Sequence, residues 1–474
     1  MIQRLTIFIT LYFSFSGLFA QDAHYWTQQY GTSSILLSNS TIGGAEDLGA
    51  VFYNPARLGL IENPAFLISA DVYELQRLKA KDAFGEKANV SKSDFGGVPS
   101  MTAGTFKVGF LKNHRFAYSI LIRQRMNLDF DYKREDYGDL LDQFEGKENF
   151  SSYIRLNTKL QEEWYTLSWS YPIKENISIG VNTTGTRYTQ RKGNQIDLFA
   201  LSESNQTASY NFDRNYSLTH YGILWKAGLA IEKPHWRAGL TFTTPTLILS
   251  GKGNFSFEEF YSGIDGQSVR DDLYTSNEQE DLPSKHRSPW AIGIGNTFIL
   301  GKHKIHLSGE WYSRISKYSL MQSEPFTSQS TGEILSFELI DDLNAVLNAG
   351  IGAEFHLSDR TSLFLSGSTD FSAAKGNIAL FSENQPIARN STITSDFFHT
   401  GLGFIFKLPW VDLTLGGART GAKQKFIRPI DFPSESDDGI FDQDEYSTLN
   451  WERWRLIFSI SIPFLNDRLK QSGL

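Results

Sequence analysis

The run Arg115-Phe116-Ala117-Tyr118-Ser119-Ile120-Leu121-Ile122-Arg123-Gln124-Arg125-Met126-Asn127-Leu128-Asp129-Phe130-Asp131 decides the fold. It repeats with a period of two, the signature of a strand with one face apolar. Phe116, Tyr118, Ile120, Ile122, Met126, Leu128 and Phe130 fall on one side; Ser119, Arg123, Arg125, Asn127 and Asp129 fall on the other, with Leu121 and Gln124 as interruptions. The same sorting recurs in 451–464, where Trp454, Leu456, Phe458, Ile460, Ile462 and Phe464 oppose Arg453, Arg455, Ser459 and Ser461. In 304–319, Ile305, Leu307 and Trp311 oppose His306, Ser308, Glu310 and Arg314. A soluble barrel keeps its apolar side chains inside and its charges outside. These strands carry whole rows of large apolar groups, and several exceed the typical soluble length of about 5–6 residues, as strands tilted through a bilayer do.

Outward from that run, amphipathic segments come in pairs joined by tight turns at Lys112-Asn113-His114, Lys174-Glu175-Asn176, Lys233-Pro234-His235, Gly301-Lys302-His303, Ser358-Asp359-Arg360 and Pro409-Trp410. Between the pairs lie polar stretches read as long loops, at 81–98, 132–154, 193–212, 252–287, 320–342, 374–393 and 427–450. Alternation of short and long connections predicts an all-β fold: a transmembrane antiparallel β-barrel of about 14 strands, with short turns on the periplasmic side and long loops on the cell surface. A barrel of this width leaves a lumen that leaks unless something fills it. Residues 21–64, rich in Gly, Ser and Asn and without strand pairs of their own, are read as a plug inside the barrel at 65–464.

Arg4 followed by the apolar run Leu5 to Phe19 and by Ala20-Gln21 reads as a signal peptide over 1–20. Residues 465–474 read as a periplasmic tail. No later stretch approaches the ~18 apolar residues of a membrane helix. With no cysteine, disulfides, thiolate chemistry and a Cys-linked lipid anchor are excluded. A net charge of −8 argues against nucleic acid as a partner. The 36 Phe, 20 Tyr and 10 Trp suit the aromatic girdles of an outer-membrane barrel.

The most specific local feature is Gly43-Gly44-Ala45-Glu46-Asp47-Leu48-Gly49-Ala50-Val51-Phe52-Tyr53-Asn54-Pro55-Ala56-Arg57-Leu58. Pro55 fixes its own φ and pushes Asn54 out of the helical region, while Asn54 can cap nearby backbone, so the pair makes a rigid corner. This run resembles the N-terminal hatch of the FadL/TodX family of outer-membrane transporters for long-chain fatty acids and other hydrophobic compounds, with Asp47, Tyr53, Asn54, Pro55, Ala56 and Leu58 matching. Leu48-Gly49 departs from the family pattern, and a second triplet, Asn63-Pro64-Ala65, follows. The resemblance implies a 14-stranded barrel plugged by the hatch, in the outer membrane of a Gram-negative bacterium. It implies a hydrophobic small molecule or fatty acid as ligand, outer-membrane lipid around the wall, and a monomer. The hatch motif comprises Gly43, Gly44, Asp47, Tyr53, Asn54, Pro55 and Ala56; the other reading of Asn54-Pro55 is an ordinary turn into the first strand.

Alternation places Arg123, Arg125, Arg453 and Arg455 in the lumen, either as contacts for an anionic head group or paired with Asp71, Asp129 or Glu162. No nucleophile elbow, zinc-protease motif or phosphate loop occurs, so no enzyme, cofactor or metal is expected. His303 and His306 fall on opposite strand faces, and the acidic run Glu435, Asp437, Asp438, Asp442, Asp444 and Glu445 reads as a solvated loop. The function expected is passive uptake of hydrophobic compounds such as long-chain fatty acids. The alternatives are a PorV-like barrel carrying protein cargo in type IX secretion, and a haem or aromatic-compound receptor on the same scaffold.

Overall fold

The structure, a computed structural model, describes residues 24–61, 66–85, 88–139, 144–263, 272–375, 386–408, 411–428 and 446–462. The signal peptide, Asn63-Pro64-Ala65, the turn Pro409-Trp410, the acidic run in 435–445, Phe464 and the tail over 465–474 lie outside them. In chain order the strands are β1 (Phe66–Lys81), β2 (Val90–Pro99), β3 (Met101–Phe106), β4 (Arg115–Gly138), β5 (Glu148–Lys174), β6 (Ile177–Ser202), β7 (Thr207–Lys233), β8 (Trp236–Thr243), β9 (Leu247–Ser262), β10 (Leu273–Pro283) and β11 (Ala291–Leu300). There follow β12 (His303–Tyr312), β13 (Ile315–Gln322), β14 (Phe326–Thr327), β15 (Ile334–Leu335), β16 (Glu338–Leu343), β17 (Val346–Ser358), β18 (Thr361–Asp370), β19 (Ile387–Arg389), β20 (Phe397–Lys407), β21 (Asp412–Ile427) and β22 (Tyr446–Ile462).

One sheet of 17 segments takes up nearly all of them. Its pairings are all antiparallel and mostly between strands close in chain order, with β7–β9, β8–β11 and β12–β17 among the exceptions. β22 pairs with β21 on one edge and with β1 on the other, the connectivity of a β-barrel. No described helix is long and apolar enough to cross a membrane. The wall is interrupted between β2 and β3, between β8 and β9 and between β10 and β11. At Thr244–Thr246 the chain passes from β8 to β9; β7 pairs with both, and β10 and β11 follow them on the far side. At Ser100 it passes from β2 to β3: β1 pairs with both, whereas β4 has a ladder with β3 and none with β2 among the described residues.

Several stretches predicted as loops are strands. β5, β6 and β7 run for 26–27 residues each, through most of 132–154 and 193–212, and β9 and β10 occupy much of 252–287. The reason lies in an inversion of the face pattern. In the lower part of β5, Tyr165 and Leu167 are exposed while Thr166, Ser168 and Ser170 are buried. In the upper part, Phe150, Ile154, Leu156 and Leu160 are buried, and Ser151, Tyr153, Arg155, Asn157 and Lys159 face outward. β6 and β7 invert at the same height, near Arg187 and Tyr221. The backbone ladder is indifferent to this change; only the surroundings of each face differ. Below the inversion the outward residues are mainly apolar, and above it they are mainly polar.

Inside the upper part, aromatic side chains form a packed core that includes Phe255, Phe257, Phe326 and Phe337, with Phe257 and Phe337 rings 4.6 Å apart. A small sheet of β13, β16 and β19 lies with it, so Leu339, Ile340 and Leu320 are buried. Lys192 on β6 ties this cap to the wall, its Nζ donating to the carbonyls of Arg389 (2.8 Å), Asn390 (3.1 Å) and Ser391 (3.1 Å).

Candidate functional site

The segment 24–61 is almost wholly buried inside the sheet. It folds as short turns, Ser34–Leu37, Ala50–Tyr53 and Pro55–Gly59, with no element long enough to stand alone. Asp47 organises it. Its carboxylate accepts from the backbone N–H of Thr32 (2.7 Å), Ser34 (2.9 Å) and Gly49 (2.9 Å) and from the hydroxyls of Thr32, Ser33 and Ser34. Tyr53 Oη accepts from the Tyr30 N–H at 3.0 Å. Asn54 Oδ1 accepts from the Ala56 N–H (3.1 Å), the local cap read from the sequence, while its Nδ2 donates to the carbonyls of Ile42 and of Leu229 on β7, both at 3.1 Å. One side chain therefore joins two turns of the plug to the wall.

The wall meets the plug with glycine. A Cβ on Gly180 would fall 2.5 Å from the Pro55 carbonyl carbon, and one on Gly295 would fall 2.8 Å from Ile42 Cβ. Gly43 and Gly44 return the closeness, their own Cβ positions lying against β11 and β12. Polar anchors complete the seat. Asn182 Nδ2 donates to the Val51 carbonyl at 2.5 Å, and Lys226 Nζ to that of Phe52 at 2.9 Å. Asp370 Oδ1 accepts from the Tyr25 and Trp26 N–H groups, each at 2.9 Å, and Glu310 Oε2 from Trp26 Nε1 at 2.9 Å. Asp370 was not among the candidates read from the sequence, and Glu310 was read only as a residue of the polar face. Their partners lie some 284 to 345 residues away along the chain, so no local pattern marks them.

The four predicted lumenal arginines separate. Arg453 and Arg455 are buried and committed to the plug: Arg453 donates to the Thr27 carbonyl (2.5 Å), and Arg455 to the side chains of Gln28 (3.3 Å) and Gln29. Arg123 is buried between the rings of Phe52 and Trp164, its guanidinium carbon 5.7 and 5.4 Å from their centroids. Arg125 departs from the expected phase. A bulge between Ile122 and Gln124 shifts the register of β4, so Arg125 pairs with Gln161 on the polar outer face and Leu128 turns into the core. Asp129 moves outward with it and takes Arg155 (3.2 Å) and Lys92 (3.7 Å) as partners.

Between the plug and the packed upper interior lies a cavity of ≈ 80 Å³ lined by Tyr25, Arg123, Glu162, Trp164, Tyr188, His286, Tyr312 and Asp341. It also touches Gln124, beside the bulge of β4, and Thr244, at the bend between β8 and β9. At the bulge, the Ile122 N–H still reaches the Ser100 carbonyl (3.3 Å). Above that point no backbone ladder joins β2 to β4 among the described residues. Side chains bridge the gap instead: Asn127 Nδ2 donates to Asp94 at 3.2 Å, and Lys92 sits 3.7 Å from Asp129 and 4.0 Å from Asp131. The cavity thus adjoins a place where the wall is closed by side chains alone.

No family model and no curated protein matches this sequence. Solved structures do. A FadL homologue from Pseudomonas aeruginosa superposes with a TM-score of 0.56 at 12% identity, over 93% of this chain and 100% of that one. This chain has the FadL/TodX-type fold. The toluene transporter TodX of Pseudomonas putida gives a TM-score of 0.57 at 11% identity, covering 92% of this chain and 98% of its own. The monoaromatic hydrocarbon channel CymD gives 0.54 at 11% identity, covering 93% and 99%.

Proposed function

We propose that this FadL/TodX-type chain is an outer-membrane barrel through which small hydrophobic molecules pass without an energy source. Reading β2 with β3, β8 with β9 and β10 with β11 as single bent strands reduces the 17 segments to 14, the even number expected of a single-chain bacterial barrel. Residues 21–64 act as the hatch, and the apolar outer band lies in the bilayer. The observation that carries the reading is the filled lumen: plug below, packed core above, and between them a cavity whose lining includes Gln124, beside the gap that side chains close. A water-filled pore would leave that interior open. A hydrophobic ligand instead leaves or enters the bilayer sideways, between β2 and β4, and shifts the hatch to go on. The solved proteins that share the fold include two named for toluene or monoaromatic hydrocarbons, which supports this reading over protein cargo. Long-chain fatty acids remain within the proposed ligand class, while the cavity's small size and its Trp164, Tyr188 and Tyr312 lining favour a compact aromatic ligand.

Uptake of labelled toluene and of a labelled long-chain fatty acid, in cells lacking other such channels, tests this. Wild type is expected to exceed the empty vector for at least one of them. Asn54→Ala is expected to slow uptake at unchanged surface abundance, because it frees the corner from Ile42 and Leu229. Uptake at vector level for both compounds overturns the proposal.

A further inference from the structure

The plug is held unevenly. Its first described stretch is fixed by bonds to the buried Asp370, Glu310, Arg453 and Arg455, and its Asn54 corner reaches the Leu229 carbonyl. Ile42–Glu46 is held differently. Among the described residues, the wall grips it by one hydrogen bond, from the Ile42 N–H to Ser308 Oγ (3.1 Å), and by the ion pairs of Glu46. Glu46 takes Arg237 of β8 on one carboxylate oxygen and Lys304 of β12 (2.6 Å) on the other. Lys304 continues to Glu354 (3.1 Å), and Arg237 to Glu232 (2.8 Å), which takes Arg57 of the plug (2.8 Å). These charges alternate in sign along the rim at the short-turn end of the sheet, and the Glu46 side chain, 39% exposed, is the most open of them.

Above Glu46 the inner faces of β8 and β11 form a lane of small residues. The cavity lining includes Thr243 and Ala291 at the upper ends of these strands. From there the inward positions step down two at a time, through Thr241 and Gly239 on β8 and Gly293 and Gly295 on β11, to the rim at Arg237. The plug segment Ile42-Gly43-Gly44 fills this lane: a Cβ on Gly239 or on Gly295 would strike Ile42 and Gly43. Two buried polar groups border it without a hydrogen-bond partner among the described residues, Thr241 Oγ1 and His306 Nε2. The Thr241 hydroxyl stands over Gly293, and the His306 ring faces Gly44. Buried polar groups are normally satisfied, and water or a polar group entering an opened lane would satisfy these.

We infer that the hatch opens along this lane: Ile42–Glu46 lifts from β8, β11 and β12, and Glu46 is the positioning residue that latches it shut on Arg237 and Lys304. The inference rests on the uptake reading above and adds the side of the plug by which a ligand leaves the cavity. Water replaces an exposed ion pair at little cost, whereas breaking a buried one strands a charge. Ile42–Glu46 therefore comes away first, while the Asn54 corner and the stretch before Gly31 stay seated.

The chain has no cysteine of its own, so two cysteine pairs in the full-length protein test this. Gly44→Cys/Thr297→Cys ties the lane shut; a Cβ on Gly44 falls 2.9 Å from Thr297 Cβ, so a disulfide needs the two to part only slightly. Ser38→Cys/Ser366→Cys ties the plug to β18 instead, at hydroxyls 2.7 Å apart. Uptake of the labelled compound that wild type carries is measured for each pair, oxidised and reduced, at equal surface abundance. Oxidation should bring the Gly44/Thr297 pair toward the empty-vector level and reduction should restore it, with the Ser38/Ser366 pair unaffected. Glu46→Gln should raise the maximal rate about twofold at unchanged half-saturation, as when release limits turnover; a merely structural Glu46 would lower rate or abundance. Full uptake through the oxidised Gly44/Thr297 pair overturns the lane, and so does equal block by both pairs. If that pair fails to assemble, Glu46→Gln decides, and an unchanged or slower rate overturns the latch. Wild-type uptake at vector level overturns the uptake reading and this inference with it; every other outcome leaves that reading standing.

Discussion

Asp47 is the residue on which the plug depends most. Its carboxylate gathers three backbone N–H groups and three hydroxyls from a segment that has no ladder and only single-turn helices. Hydrogen bonds to a charged acceptor contribute about 1.5–3 kcal/mol each, and an amide keeps only one of the two accepting oxygens. Asp47→Asn is therefore expected to cost about 3 kcal/mol of plug stability, read as faster hydrogen exchange over 24–61 with the wall's exchange unchanged. Unchanged exchange in the plug would remove Asp47 from this role. Asp341, in the cap, gives a pH dependence. Burial is the main cause of its high pKa, with Asp342 adding to it against the bonds from Asn390 and the backbone and the charge of Lys192; the carboxyl is pushed up to about 7. A folded-state pKa above the unfolded one favours the folded cap at low pH, and that advantage is lost as pH rises from about 4 to 7. The protection of β13, β16 and β19, taken relative to the intrinsic exchange rate at each pH, should be greater at pH 5 than at pH 8, and Asp341→Asn should flatten the difference. A variant with the same pH dependence would assign it elsewhere.

At the scale of the element, the inversion of polarity along β5, β6 and β7 separates what was legible in the sequence from what was not. The faces of 451–464 could be read because Trp454, Leu456 and Phe458 alternate with buried Arg453, Arg455 and Ser459 without interruption. In 115–131 the bulge reverses the phase halfway, and a bulge leaves no fixed mark in composition. The stretches 132–154 and 193–212 read as loops because their outward residues are polar, but polar outward residues are equally what a strand needs once it rises out of lipid. The same inversion predicts position-specific sensitivity. Leu167→Lys, outward and below it, should cost about 2–4 kcal/mol near the midplane and less toward the interfaces. Asn157→Lys, outward and above it, should cost little. Unfolding of the purified barrel from lipid vesicles measures both, and equal costs would contradict the placement of the bilayer. The Gly180 contact adds a third test. Gly180→Val places side-chain carbon where Pro55 packs, so the wall should assemble while the plug becomes protease-sensitive; a protected plug would show that the contact yields.

Among the described residues the molecule is a sheet whose interior is occupied nearly throughout, and this shapes the proposed passage. The turns announced the antiparallel sheet, and the motif around Asp47 and Asn54 falls in the segment 24–61 that the sheet buries. The seat of the plug on Asp370, Glu310, Asn182 and Lys226 was not legible, because those residues meet it only after the sheet has formed. The gap between β2 and β4 was not legible either, since it arises from the bend at Ser100 and the bulge near Gln124 acting together. Passage through that gap is the central claim, and the absence of cysteine from the chain makes it open to a clean measurement. Asp94→Cys and Asn127→Cys would stand on the two sides, at positions whose native side chains touch at 3.2 Å. Uptake of the labelled hydrophobic compound that wild type carries is measured in cells with this pair, before and after a short bifunctional thiol reagent, alongside each single variant. The account predicts that bridging the pair cuts uptake toward the empty-vector level, while the reagent leaves both single variants near their untreated rate. Full uptake through a pair shown to be bridged would contradict it.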